Sequence, residues 1–257
     1  MDENYECLEE PILTPWSFWP TVGFSFIIGF AVFIPSVILG LAFVIVAKVQ
    51  YPKLDIAAFA STLGSNGLFT VIVEFVTVPL VIGLVLLFAK IRKNITIVQY
   101  LSLHRVSLKQ LIKWCLVTFV FMACSETLSF LLGRPIVPEY MISIYTTVYF
   151  VPLLWFAFII AAPLSEEIFF RGFLFKSLEH SKIGPIGAVI ITSVIWSLLH
   201  TQYDLYAMVV IFIGGLLLGF VRLRTNSIYT TIAMHALWNL AATVEVAIHL
   251  RMLPAAG

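Results

Sequence analysis

The sequence predicts an all-α fold, a polytopic bundle of about seven transmembrane helices. Three observations lead there. Hydrophobic residues make up 61% of the 257-residue chain and charged residues 11%, against about 45–50% and about 25% in an average soluble domain. Mean hydropathy is +1.03. The apolar residues come in runs long enough for the ~20-residue helices that a bilayer core requires.

Residues 1–19 read as an acidic cytoplasmic tail, with Asp2, Glu3, Glu6, Glu9 and Glu10 and no Lys or Arg. A cleavable signal peptide needs a basic start, so one transmembrane domain, 20–257, is expected to follow. Residues 11–47 are free of charge and supply the first span, at about 20–47. The second, about 66–89, stops at the basic cluster Lys90, Arg92 and Lys93. The third, about 110–132, ends on Gly133-Arg134-Pro135, and the fifth, about 184–201, begins on Gly184-Pro185; Gly and Pro punctuate loops. Between them lies a long fourth span, about 147–178, whose last turns are amphipathic through Lys176 and Glu179. Spans at about 205–222 and 227–248 complete the bundle.

Lys and Arg set orientation. With the N-terminus inside, ten of them fall in cytoplasmic loops: Lys90, Arg92, Lys93, Arg105, Lys109, Lys113, Lys176, Lys182, Arg222 and Arg224. Only Lys48, Lys53, Arg134 and Arg251 fall outside. The chain is thus expected to be an integral, multi-pass membrane protein with a cytoplasmic N-terminus, in the cell membrane if the source is prokaryotic. The basic stretch from Lys90 to Lys113 serves topology and anionic-lipid contact. A net charge of +1 without a clustered basic surface excludes a nucleic-acid partner. Cys7, Cys115 and Cys124 have no metal-ligand spacing and read as small buried hydrophobes.

Within the fourth span, no Asp, Glu, Lys or Arg occurs from Tyr140 to Ser165, and then the chain reads Glu166-Glu167-Ile168-Phe169-Phe170-Arg171. A charge at bilayer depth costs at least ~2.5–3.5 kcal/mol and is rarely idle. Residues four apart share a helix face, so Glu167 and Arg171 are neighbours while Glu166 points elsewhere. Glu167 is therefore expected to be neutralised by Arg171, leaving Glu166 free as a base. Pro163 removes a helix hydrogen bond just before them. Trp196 and His200 repeat the four-residue spacing, and so do His235 and Asn239. Helix rise places Glu166, His200, His235 and Asn239 at ~13–24 Å from the cytoplasmic turns, a common depth. Hydrolysis needs a base, an acid and oxyanion donors. Glu166 and His200 suit water activation; His235 and Asn239 suit the oxyanion. The site is expected to open toward the cytoplasmic turns. Ser165 and Ser197 have no evident partner base.

Glu-Glu-x-x-x-Arg, aromatic-x-x-x-His and His-x-x-x-Asn, in this order over roughly 165–240, resemble the signature of the CPBP (CAAX protease and bacteriocin-processing, or Abi) family, including the type II CAAX prenyl endopeptidases. The resemblance places a core at about 147–248 and implies a glutamate-dependent intramembrane endopeptidase. Glu166 and His200 would activate water, His235 and Asn239 would form the oxyanion site, and Glu167 and Arg171 would support them. Trp196 departs from the usual Phe, which bears on pocket size. The implied partners are membrane lipid and a membrane-associated protein or peptide with a CAAX-like or precursor end. No cofactor is expected, since His-x-x-x-Asn lacks the second histidine of a zinc pair. The alternatives are a zinc metalloprotease, with Glu166, His200 and His235 as ligands, and a non-catalytic scaffold or bacteriocin-immunity protein. A coupled transporter would show repeated halves, and no repeat is visible.

Some residues stay outside the motifs. Glu74 and Glu126 lie in apolar segments, as interhelical bonders or groove residues. His104, His180 and His249 fall at loops or helix ends. Gly215 and Gly219 form a small-xxx-small packing pair.

Overall fold

The computed structural model describes residues 14–252; among them there are helices and loops and no strand. The acidic residues Asp2 to Glu10, and Cys7, lie outside the described residues. Ten helices follow one another: α1 Phe18–Gln50, α2 Ile56–Thr62, α3 Gly67–Ile91, α4 Ile97–Leu101, α5 Leu108–Leu131, α6 Glu139–Thr147, α7 Val151–Glu179, α8 Gly184–Leu198, α9 Leu205–Thr225 and α10 Ile228–Met252.

Six of these helices, α1, α3, α5, α7, α9 and α10, are long and apolar enough to cross a membrane. The chain is an integral, multi-pass membrane protein. The expected span at 184–201 is the exception. α8 has 15 residues, which is ~22 Å at 1.5 Å per residue, against ~30 Å of hydrocarbon. It stops before Asp204, whose carboxylate caps α9 by accepting the Ala207 N–H at 2.8 Å. His200 therefore stands just past a helix end, not within a span. α1 is the opposite case. Its 33 residues reach ~50 Å, and it presents Phe26, Phe30, Phe33, Ile38 and Leu41 outward, as a lipid-facing helix does. Cys124 corrects the sequence reading: it is exposed on the outer face of α5, because this helix packs through its other side, including Thr118 and Met122.

The helices pack so that α8 lies along α9 and α1 along α3, with α10 against α5, α7 and α9. Gly215 and Gly219 allow the α8–α9 approach. A Cβ on Gly219 would stand 3.0 Å from Val189, and one on Gly215 would stand 3.0 Å from Ser193.

The two ends of the bundle differ in chemistry. At one end lie the ten Lys and Arg residues from Lys90 to Arg224 named above. This end is plugged. Tyr100 is fully buried against Phe173 and bonds Ser177 at 2.7 Å. Arg222, 1% exposed, donates to the Arg171 carbonyl at 2.8 Å, to Asn226 at 3.0 Å and to Ser102. Ser102 and Asn226 adopt left-handed backbone (φ 54° and 47°), which turns both loops toward that guanidinium. Sequence reasoning read Arg222 only as a topology signal; its burial depends on which loops meet.

Candidate active site

α7 carries the two adjacent glutamates, and it is not a uniform α-helix. It widens into π turns at Ala157–Ala161 and Ile168–Leu174, on either side of Glu166 and Glu167. Such turns are rare and recur at functional sites. Pro163 explains part of the first one. In π register the Ala162 N–H bonds the Ala157 carbonyl, so residue 163 would bond Phe158. Proline has no N–H to give. The orphaned Phe158 carbonyl is taken by Asn239 of α10, whose Nδ2 donates to it at 2.8 Å. One amide proton of Asn239 is thus committed and the second is free.

Glu167 and Arg171 are both 0% exposed and pair at 2.8 Å, as their four-residue spacing predicts. The sequence did not predict the third member. His235, 3% exposed, places Nδ1 at 3.0 Å from the same carboxylate oxygen. That oxygen already accepts from Arg171, so Nδ1–H is the donor. The neutral ring then has a bare Nε2. His235 donates through Nε2 only when its ring carries both protons.

Glu166 faces away from that triad. Its Oε2 accepts the indole N–H of Trp196, and its side chain lines a cavity of about 530 Å³ that also holds His200, His235 and Asn239. His200 Nδ1 lies 2.7 Å from the Trp196 carbonyl, which can only accept, so Nδ1 carries the proton and Nε2 is left as an acceptor. Trp196 is the hub. Its ring meets His200 and His235 edge-on at 5.2 and 5.1 Å, and the Arg171 guanidinium lies 4.6 Å above it. The sequence tied Trp196 to pocket size; its N–H contact to Glu166 is a role that Phe cannot fill.

Trp196→Phe keeps the ring and loses only that N–H. It is expected to lower kcat about tenfold, the size of one hydrogen bond to a charged group, with little change in KM. Steady-state kinetics in detergent check this. An unchanged kcat would mean that the bond contributes nothing to turnover.

Further residues complete the cavity. Tyr203 stacks on His200 at 6.3 Å, and Tyr140 meets Tyr203 edge-on at 5.3 Å. Burial, then the Glu74 charge, pushes the Tyr140 phenol up to about 12, and burial also raises Tyr203, so both stay protonated. Glu74 and Glu126, set apart in the sequence, both reach the cavity, and so does Glu245. Glu245 was legible in principle: it lies two turns beyond Trp238 on one helix face, and both line the cavity. By contrast, His104 and His180 are exposed at the opposite end.

Glu166, His200 and His235 do not converge as metal ligands. Among the described residues no group of three or more His, Cys, Asp or Glu could hold an ion.

The cavity also corrects the expected direction of access. Its mouth is formed by Arg134–Tyr140 and by Gln202–Asp204. These segments lie at the end opposite the ten basic residues. The basic end is closed by Tyr100 and Arg222, and the shortness of α8 opens the other.

The type II CAAX prenyl endopeptidase Rce1-like family model matches residues 148–241, which hold all seven motif residues. Those residues are a domain of that family. Members of the Rce1-like family are intramembrane endopeptidases, and the chain is a peptide hydrolase of that class. No curated protein and no solved structure matches the chain significantly. In the Rce1-like domain, α7 supplies the glutamates, α8 the aromatic, the turn just after α8 the first histidine, and α10 the second histidine and the asparagine.

Proposed function

We propose that this protein hydrolyses a peptide bond near the membrane-associated end of a protein or peptide substrate, with Glu166 as the base. The carrying observation is the unequal state of the glutamates. Glu167 is sealed between Arg171 and His235, while Glu166 faces the cavity with one oxygen held by Trp196. A base must reach water, and only one of the pair does.

In this reading Glu166 takes a proton from a water molecule whose second hydrogen bonds His200 Nε2. The water oxygen attacks the scissile carbonyl carbon. The developing oxyanion accepts a hydrogen bond from the free amide N–H of Asn239 and, when the ring carries both protons, one from Nε2–H of His235, which Glu167 orients through Nδ1. Collapse breaks the C–N bond, and the proton on Glu166 passes to the leaving amine. The decisive experiment is cleavage in detergent, with and without chelator, by wild type and a Glu166 variant. Activity lost on chelation and restored by zinc would overturn direct water activation by Glu166 and His200.

Asn239 is expected to act mainly in the transition state. Loss of one oxyanion donor typically costs ~100–1,000-fold in turnover. Asn239→Ala should show that loss in a single-turnover rate at saturating substrate. Weakened binding at an unchanged rate would leave Asn239 as the cap of Phe158 alone.

The Lys and Arg distribution supports a cytoplasmic basic end, and hence a cavity that opens on the opposite face. In a background lacking native cysteines, Gln202→Cys is expected to react with an impermeant thiol reagent added outside intact cells, and Asn94→Cys to be protected. The reverse pattern would invert the orientation.

A further inference from the structure

The cavity has a charge far from that of the chain. Six carboxylates line it, Glu74, Glu126, Glu139, Glu166, Asp204 and Glu245, against a single Lys or Arg, Arg134. Arg134 is used up by Asp204, 2.5 Å away. None of the other five is in a salt bridge among the described residues. Two features go beyond a cluster of acids. Glu74 on α3 is almost wholly enclosed, lines the cavity within the field of Glu166, and has no hydrogen-bond or ion-pair partner among the described residues. Glu126 on α5 and Glu245 on α10 both line the cavity, on two helices that pack against each other, so that two acids are brought together. Like charges in a low-dielectric wall oppose one another unless something positive lies between them.

We propose that this wall is a recognition subsite for a basic side chain of the peptide substrate, with Glu126 and Glu245 holding the lysine ammonium or arginine guanidinium and Glu74 deepening the negative field toward Glu166. The proposal rests on the peptidase reading and names the substrate class within it. A multivalent metal ion is the weaker occupant, because no group of three ligating side chains converges among the described residues. An ammonium or guanidinium needs only the two acceptors that Glu126 and Glu245 offer.

Position in the substrate follows from helix geometry. Glu245 is six residues beyond Asn239, ~9 Å toward the cavity mouth. An extended peptide advances ~3.3 Å per residue. The basic residue therefore belongs two to four residues from the cleaved bond, on the mouth side.

The test uses full-length protein in detergent and quenched decapeptide mixtures in which one position is fixed as Lys, norleucine or Glu. The expected result is a Lys-over-norleucine ratio in kcat/KM of about tenfold or more at one position within four residues of the bond, with Glu below norleucine. In Glu126→Gln/Glu245→Gln that ratio falls to about one. A second measurement does not need catalysis. Glu166→Gln protein should bind a fluorescent tetralysine peptide more tightly than an uncharged analogue, and the two further substitutions should remove the difference. Equal cleavage of the Lys and Glu mixtures by wild type overturns the subsite, as does a preference that survives the double substitution. If wild type cleaves no mixture while charge-dependent binding persists, the peptidase reading fails and the subsite stands.

Discussion

Glu166→Gln is expected to abolish cleavage while the protein stays folded. A general base contributes about 100- to 10,000-fold, and glutamine cannot take the proton from water. The substitution is otherwise mild. Glutamine keeps an oxygen that accepts the Trp196 indole N–H, the contact made by Glu166 Oε2. It also leaves untouched the Glu167–Arg171 pair that braces α7. Size-exclusion behaviour and thermal midpoint should match wild type, while the single-turnover rate falls to background. The comparison variant is Glu167→Gln, which strikes the buried pair and should lower the midpoint as well as the rate. If Glu166→Gln cleaved at the wild-type rate, the roles of the two adjacent carboxylates would have to be exchanged.

Arg171→Met is expected to be the most destabilising single substitution in the site. It leaves the Glu167 carboxylate, 0% exposed, without its cation. Removing one partner of a buried pair costs about 3–5 kcal/mol, which at this chain length is a midpoint shift on the order of 10 °C. Arg171 also donates toward the Gly215 carbonyl at 3.5 Å and lies over Trp196, so α9 and the hub lose a contact with it. The double variant Glu167→Met/Arg171→Met separates stability from chemistry. Replacing both members of a buried pair by apolar groups is often neutral, so much of the lost stability should return. Activity should not, because His235 would have no carboxylate to orient its ring. Restoration of both would reduce Glu167 to a packing element. An unchanged midpoint in Arg171→Met would show that the pair contributes nothing to the fold.

Some parts of the site were legible because they are local. Glu167 and Arg171 are one helical turn apart, and nothing outside α7 is needed to make them meet. The same spacing put His235 and Asn239 on one face. What the spacing could not say is what each side chain would find there. His235 finds Glu167, and Asn239 finds the carbonyl that Pro163 leaves unbonded, on another helix in both cases. Trp196 was read for its size alone because its polar atom is a single N–H whose partner lies thirty residues away.

The sequence by itself determined the class of this protein and the residue types of its candidate site. Apolar runs of bilayer length leave helices as the only way to satisfy the backbone, and an acid pair, two histidines and an asparagine, in their order and spacing, mark the residues that the Rce1-like family model covers. Tertiary structure alone decided which end of the bundle opens, that Arg222 seals the other, and that Glu74, Glu126 and Glu245 share the cavity with Glu166. The physical reason is range. Helix periodicity fixes relations within about two turns of chain. The meeting of α3, α5, α7 and α10 depends on interhelical packing, where a glycine at 215 or a helix that stops at Leu198 changes which side chains face one another.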